Sequence, residues 1–401
     1  MAVAKFSVAI PTHNRLDLLR DAVETVRRQD YQDWEVVIFD NGSDEDIAGY
    51  VAGLNDPRIK TKRSDAFLPV TDSWNNALAM ASGDYVIVIG DDDGLMPGYF
   101  TRLNELVATF SNPDVIYTNI LQFFHPGVAP WEPKGYVADI RNAFFFAERT
   151  QPFLLSAADT TKAITGSVTL HRNFTFNMQA FCFSRRLLGE LGREGPIFRS
   201  PFPDYYLANV ALGRARSTLV VPDPMAIAGV SRASYGFTLF NGQEQRGEAL
   251  LNSRLQTDPL FDRVSNIILP GSQYQTNYVL TMQHVVDQLQ GRYPLRVAFG
   301  RYRRLQVLWA IDNFGSRKWR RADKARAIWD RLSPTERMMS RGLSFLVRKS
   351  RKRHPKFLAA LRKRIHAYGY FPDVRYLHRG DYSNVVEIFE ALRAGRLAVA
   401  P

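Results

Sequence analysis

The sequence predicts an α/β protein: residues 1–240 build an open sheet flanked by helices, and the remainder is mainly helical. Three observations predict it. Apolar β-type runs alternate with helical periodicity from Phe6 to Thr118, the pattern of an open α/β sheet. One run, Tyr85–Ile89, is apolar at every position, as expected of a parallel strand covered on both faces. After about Asn241 apolar residues recur at helical spacing to the end.

Each element has its own signal. Phe6–Ile10 alternates and is β-branched, so it reads as a strand. Leu16, Leu19, Val23 and Val26 lie on one helical face, with Thr12 or Asn14 as cap and the helix ending near Arg28. Glu35–Phe39 reads as a strand closed by the turn cluster Asp40-Asn41-Gly42-Ser43. Arg58–Lys62 is a short strand, Asp72–Ala81 a helix closed by Gly83, and Pro97 opens a helix to about Phe110 before a strand at Val115–Thr118. From His125 to Thr165 the pattern is lost, and this aromatic, Pro-containing stretch reads as an irregular insertion or acceptor loop. Asn177–Ser184 returns to strand, followed by helices at Arg185–Leu191 and Asp204–Leu212 and strands at Thr218–Val221 and Met225–Gly229. Val279–Leu289, Leu305–Ile311, Ala325–Leu332, Phe345–Val347 and Phe357–Ile365 supply the apolar faces of the helical remainder.

Composition narrows the class. With 401 residues, 45% hydrophobic and 23% charged, the chain is ordinary globular material for two domains. No apolar run is long enough to span a bilayer, and Met1–Lys5 lacks a secretory leader pattern. The single cysteine, Cys182, excludes an intrachain disulfide and reads as a buried small hydrophobe, consistent with a cytoplasmic chain. The net charge of +12 is uneven: from Arg301 onward there are 25 Lys+Arg against 8 Asp+Glu. Such an excess suits anionic lipid, a phosphorylated carrier or nucleic acid, or is a solvated helical surface.

Ligands of an open α/β sheet bind at the carboxyl ends of its strands. Three polar clusters fall there: Pro11-Thr12-His13-Asn14-Arg15, Asp40-Asn41-Gly42-Ser43 and Gly90-Asp91-Asp92-Asp93. Three successive carboxylates repel one another and resist joint desolvation. A divalent cation relieves the repulsion, and oxygen ligands suit Mg²⁺ or Mn²⁺ shared with substrate phosphates.

These clusters, together with Trp74-Asn75-Asn76-Ala77-Leu78, Ala81-Ser82-Gly83-Asp84-Tyr85 and Pro97, closely resemble the family 2 glycosyltransferases of GT-A fold in wording, order and gaps. The resemblance is strong over 5–120, moderate over 175–235 and absent after about 245. It implies a GT-A-type open mixed sheet flanked by helices, with a nucleotide-sugar and metal half at 1–120, an acceptor half at 121–240 and a helical basic region at 241–401. It implies a nucleotide-diphosphate sugar donor, usually a UDP-sugar, and inverting transfer to a glycan or lipid-linked acceptor in polysaccharide or surface glycan synthesis. Pro11, Thr12, Asn14, Arg15, Asp40, Asn75 and Asp91 would then contact the nucleotide sugar, with Thr12 and Asp40 on the base and Asp91 on the ribose side. Gly90 stands where many members carry the first Asp, so the metal ligand lies between Asp92 and Asp93. Trp74 stands where the family often has Arg, a place for which Arg15 or Arg63 can compensate. The general base of an inverting transfer is matched by Asp204, at the start of a helix, where a carboxylate is favoured. Asp159 and Asp223 are rivals for it. His171 is a candidate for metal or phosphate, and Trp131, Phe144–Phe146, Phe181 and Tyr235 are candidates for sugar stacking.

Two other readings compete. A nucleotidyltransferase also combines an α/β sheet with acidic metal ligands, but its Gly-rich loop with Arg and Lys after the first strand is missing. A nucleic-acid-binding protein would use the basic C-terminal region, but no nucleic-acid motif accompanies the charge, so none is expected as partner. The densest basic run, Arg348–Lys356, instead suggests a peripheral contact with an anionic membrane.

Overall fold

The structure, a computed structural model, describes residues 3–140, 149–252, 258–314, 323–353 and 374–399. Its strands are β1 Phe6–Thr12, β2 Trp34–Asp40, β3 Ile59–Arg63, β4 Tyr85–Val88, β5 Gly94–Leu95, β6 Val115–Phe124, β7 Tyr136–Ile140, β8 Phe153–Leu154, β9 Phe181–Ser184, β10 Thr218–Val230 and β11 Val374–Arg379. The helices of the first part are α1 Leu16–Arg27, α2 Ile47–Gly53, α3 Val70–Met80, α4 Tyr99–Thr109, α5 Ala157–Val168, α6 Arg185–Gly192 and α7 Pro203–Arg214. Those that follow are α8 Tyr235–Phe240, α9 Glu244–Leu251, α10 Pro259–Val264, α11 Gln273–Gln288, α12 Phe299–Phe314, α13 Asp323–Asp330, α14 Pro334–Arg353 and α15 Val385–Arg393.

The strands form one mixed sheet in the order β11-β7-β6-β9-β4-β1-β2-β3. The first four strands run parallel, with β1 between β2 and β4. Antiparallel β9 joins β4 to β6, and β10 lies parallel to β6 while its far half pairs antiparallel with β5. The parallel centre is apolar because helices cover both faces: every residue of β2 and β4 is buried. α1 buries Leu19, Ala22, Val23 and Val26 on this sheet, at the i, i+3, i+4, i+7 spacing that makes one helical stripe. Cys182 is fully buried in β9, and burial pushes its thiol well up.

Four expectations are corrected. Neither Thr12 nor Asn14 caps α1; Arg15 is the cap residue, and the Glu45 carboxylate accepts the Leu16 N–H at 2.8 Å. Asn14 is committed to the turn itself, at φ 53°. Residues 125–165 are not wholly irregular, since they carry β7, β8 and the first half of α5, which Ser156 caps. Thr218–Val230 is one strand rather than two; register shifts at Val221, Pro224 and Ala226 absorb the prolines.

The fourth correction is the largest: the chain is not helical to its end. β11 returns to pair antiparallel with β7, and α15 follows it. Val385, Ile388, Ala391 and Leu397 pack with Leu121, Phe123, Val137 and Ile227 of the sheet. The intervening helices hold a separate small cluster of Leu269, Val307, Leu308, Ile311, Ala325, Ile328, Leu332 and Val347. Arg348–Arg353 complete α14, whereas 354–373, including the end of the basic run and Phe357–Ile365, lie outside the described residues, as do Phe144–Phe146. Among the described residues no helix is long and apolar enough to cross a membrane.

Apolar burial, not charge, holds this C-terminal return. The Arg28–Glu390 pair at 2.6 Å is about a third exposed on both sides, worth about 1 kcal/mol or less. Ile388 is fully buried, and truncating it to Ala costs about 2–5 kcal/mol. Ile388→Ala is therefore expected to lower the urea midpoint clearly, and Glu390→Ala to leave it nearly unchanged.

Candidate functional site

The carboxyl ends of β1 and β4 open into a cavity of about 660 Å³. It is lined by Pro11, Thr12, Arg15 and Asp91–Asp93, and also by Arg172, Gln179, Asp204 and Tyr235.

The loops after β1 and β2 are tied to each other. Asn14 Oδ1 accepts Asp44 N–H at 2.7 Å, and Ser43 Oγ accepts Asn14 N–H at 3.0 Å. Asp40 Oδ1 accepts Ser43 N–H at 2.8 Å, and its Oδ2 faces Arg63 at 3.4 Å. Asn14 and Asp40 therefore shape the rim from behind and do not line the cavity; Asn41 does. Asn75 is also outside it. Its Oδ1 accepts Ile197 and Phe198 N–H at 3.0 Å, and its Nδ2 donates to Thr71 O and Phe198 O at 2.8 Å. This amide clamps α3 to the segment before Asp204.

Asp91, Asp92 and Asp93 are all buried but differ in what offsets their charge. Asp91 Oδ2 accepts from Thr12 Oγ1 at 2.8 Å, and Arg15 Nη1 reaches Asp91 Oδ1 at 3.1 Å. Arg15 Nη2 also donates to Ala233 O at 2.5 Å, so this guanidinium braces Asp91. Asp92 and Asp93 are held by neutral donors instead, among them the Gln179 side-chain amide on Asp93. Ser231 N–H donates to Asp92 Oδ2 at 3.2 Å. Gly90 and Gly229 N–H donate to the two oxygens of Asp93 at 2.5 and 2.9 Å. Burial, then the charge of Asp92, pushes Asp93 up to about 8.

The glycines here are required by space. A Cβ on Gly90 would lie 2.9 Å from Asp93 Oδ2, and one on Gly229 would lie 1.8 Å from the Asp92 carbonyl oxygen. Gly229, Ser231 and Gln179 escaped sequence reading because β10 is remote in sequence from the Asp run. The available signal was a glycine inside an apolar strand, which marks a close backbone approach.

Asp204 opens α7, behind Pro203 at the first helical position. Burial raises its carboxyl to about 6, opposed by its helix-end N–H groups and by Arg172. The turn before it is pinned from α11. Ser200, at φ 78°, contacts Thr281 Oγ1 at 3.0 Å and His284 Nδ1 at 2.9 Å, and Phe202 N–H donates to Thr281 Oγ1 at 3.3 Å. His284 is backed by Asp258 at 3.3 Å.

The other candidates fall elsewhere. Asp159 is half-buried in the first turn of α5, and neither it nor Asp223 lines the cavity. His171 is also outside it, 3.2 Å from Thr169 Oγ1. Phe181 is core, whereas Trp74, Trp131 and Tyr235 line the cavity. Among the described residues no group of three or more His, Cys, Asp or Glu surrounds one point as a metal cage would.

Residues 7–172 match the model of Glycosyl transferase family 2. Over 104 residues the chain is 40% identical to WcaA of Escherichia coli, a protein named for glycosyl transfer in colanic acid biosynthesis, covering 25% of this chain and 36% of that protein. It is 35% identical over 104 residues to the GalNAc(5)-diNAcBac-PP-undecaprenol beta-1,3-glucosyltransferase of Campylobacter jejuni, covering 25% and 34%. The matches thus span about a third of these relatives' own length. The structure of S. aureus TarS 1-349 aligns with TM-score 0.44 and 16% identity over 81% of this chain and 89% of that one. All three strand-end clusters fall within the stretch, residues 7–172, that matches the model of Glycosyl transferase family 2.

Proposed function

We propose that the chain is an inverting glycosyltransferase moving a sugar from a nucleotide-diphosphate donor, a UDP-sugar, to a glycan or lipid-linked acceptor in surface glycan synthesis. One observation carries the reading: the carboxylates Asp91–Asp93 and the isolated carboxylate Asp204 line one cavity. The family match supports the transfer chemistry. The relatives named for colanic acid and undecaprenol-linked glycans support the acceptor class.

On this reading Asp204 accepts the proton of the acceptor hydroxyl. The acceptor oxygen then bonds to the anomeric carbon as the nucleoside diphosphate leaves from the opposite face. A folded-state value near 6 suits a base working near neutral pH. Thr12, Arg15 and Asp91 form the nucleotide side, with Pro11 beside them. Asn14, Asp40 and Asn75 act through the loops they tie. The donor set fits a divalent cation, Mn²⁺ or Mg²⁺: Asp92 and Asp93 are buried oxygen ligands, and among the described residues their hydrogen-bond donors are neutral. Two carboxylates are sufficient when substrate phosphates complete the shell. Such a cation would offset the charge of the departing diphosphate.

Asp204→Asn keeps the side chain's shape but cannot accept a proton. Turnover is expected to fall about 10²- to 10⁴-fold with nucleotide affinity retained; near-normal turnover would overturn the assignment. In the wild type, kcat/KM is expected to fall about tenfold per pH unit below about pH 6, because the base must be ionised. Transfer is expected to stop in excess EDTA and return with Mn²⁺. Asp92→Asn should weaken that recovery while leaving the unfolding midpoint close to wild type.

A peripheral contact with anionic membrane is part of the same proposal and rests on the C-terminal charge excess, 25 basic against 8 acidic residues. Each basic residue at such a surface contributes about 1 kcal/mol. Co-sedimentation with anionic vesicles, lost with neutral vesicles and at high salt, is the expected result.

A further inference from the structure

One wall of the cavity is aromatic and is built from parts of the chain that the carboxylate loop does not need. Phe124 and Tyr136 stack at 4.6 Å, and both are buried. Phe240 lies 5.4 Å from Phe124. In front of them Trp131 is 52% exposed and Tyr376 is 40% exposed, and both line the cavity. Trp131 meets Phe240 edge-on at 5.6 Å and donates to the Tyr136 hydroxyl; Tyr376 meets Tyr136 edge-on at 5.1 Å.

These two exposed rings are held in place. The register of β11 on β7 shifts between Tyr376 and His378, and such a bulge re-aims a side chain. Tyr376 thereby faces the cavity while Leu377 joins the core beneath α15. Arg379 stacks over the Tyr376 ring at 4.3 Å and pairs with Glu132, the neighbour of Trp131, at 3.3 Å. One ion pair therefore bridges the two segments that carry the exposed rings.

Resting on the glycosyl-transfer reading, we propose that Trp131 and Tyr376 form the acceptor shelf, stacking on the C–H face of an acceptor pyranose and presenting its hydroxyl to Asp204. The negative face of an aromatic ring attracts polarised C–H groups, and rigid rings lose little entropy on binding. The polar edges of Tyr and Trp serve a sugar, whose hydroxyls project around its apolar face. An alkyl chain gains only area and has no use for them. Trp131 lies within the family match and Tyr376 beyond it, since the match ends at residue 172.

The test uses the full chain and saturation-transfer NMR. The probes are UDP, the methyl β-pyranosides of glucose, galactose and N-acetylglucosamine, and octyl β-glucoside. Wild type should saturate the ring protons of at least one methyl pyranoside. Trp131→Ala and Tyr376→Ala should each weaken that binding about 2- to 10-fold, the size of one ring contact. Trp131→Tyr and Tyr376→Phe should restore it, and UDP binding should be unchanged throughout, which also shows that the variants fold. Three results would overturn the shelf: no pyranoside bound by a protein that binds UDP, pyranoside binding indifferent to both alanine variants, or saturation confined to the octyl chain. Ring-dependent pyranoside binding without any UDP binding would support the shelf and sink the donor assignment instead.

Discussion

An isolated carboxylate taken out of water loses several kcal/mol of solvation, and Asp91, Asp92 and Asp93 are taken out together. The surroundings of β4 follow from that constraint. Arg15 and Thr12 come from the end of β1 to satisfy Asp91. Asp92 and Asp93 receive neutral donors, the backbone N–H groups of Gly90, Gly229 and Ser231 and the side-chain amide of Gln179. Backbone donors orient a carboxylate and partly replace water, but they carry no net charge. Burial, and after it the charge of Asp92, therefore raises Asp93 to about 8.

The same constraint draws distant parts of the chain together. Gly229 and Ser231 belong to β10, whose backbone must pass so close to Asp92 that no side chain fits at 229. β10 is positioned in turn by its long parallel pairing with β6. The C-terminal return packs on Leu121 and Phe123 of β6 and on Ile227 of β10. A segment that looks peripheral thus buttresses β10, whose Gly229 and Ser231 hold the carboxylates, and its partner β6. α11 plays the matching part on the other side, pinning the turn that leads into Asp204. The helical C-terminal part and the sheet are therefore coupled through packing, not merely tethered.

What was legible in the sequence was local. Each parallel strand is an apolar run ending in a polar cluster, so β1, β2 and β4 and the residues at their ends could be read directly. The helix at Asp204 was legible as well, read at Asp204–Leu212 and found at Pro203–Arg214. What escaped depends on partners far along the chain. β7 and β11 are ordinary five- and six-residue segments that become strands because they pair with each other, and neither signals the other by composition. The cap of α1 was misread for a related reason: Glu45 reaches it from the next loop, leaving Asn14 to adopt a left-handed turn. Asn75 carries a family word yet is spent on a clamp, because its amide meets three backbone groups of neighbouring segments before it can meet a ligand.

Burial raises two carboxyls in this cavity, and the difference between them divides the proposed labour. Asp93 is raised by desolvation and by a like charge beside it, an environment that a cation corrects and a proton merely silences. Asp204 is raised by desolvation alone, while a helix end and Arg172 pull it back. Its value near 6 leaves it ionised at neutral pH yet basic enough to take a proton. Environments that separate two carboxylates in this way assign them different roles. Here each environment comes from a different part of the chain. The family-matched residues supply the carboxylates of the end that would hold a cation, β10 supplies backbone donors to them, and α7, braced by α11, builds the end that can receive a proton. A sugar lying on the aromatic wall between β7, β11 and α8 would sit beside both ends, which is the arrangement a transfer between two bound substrates requires.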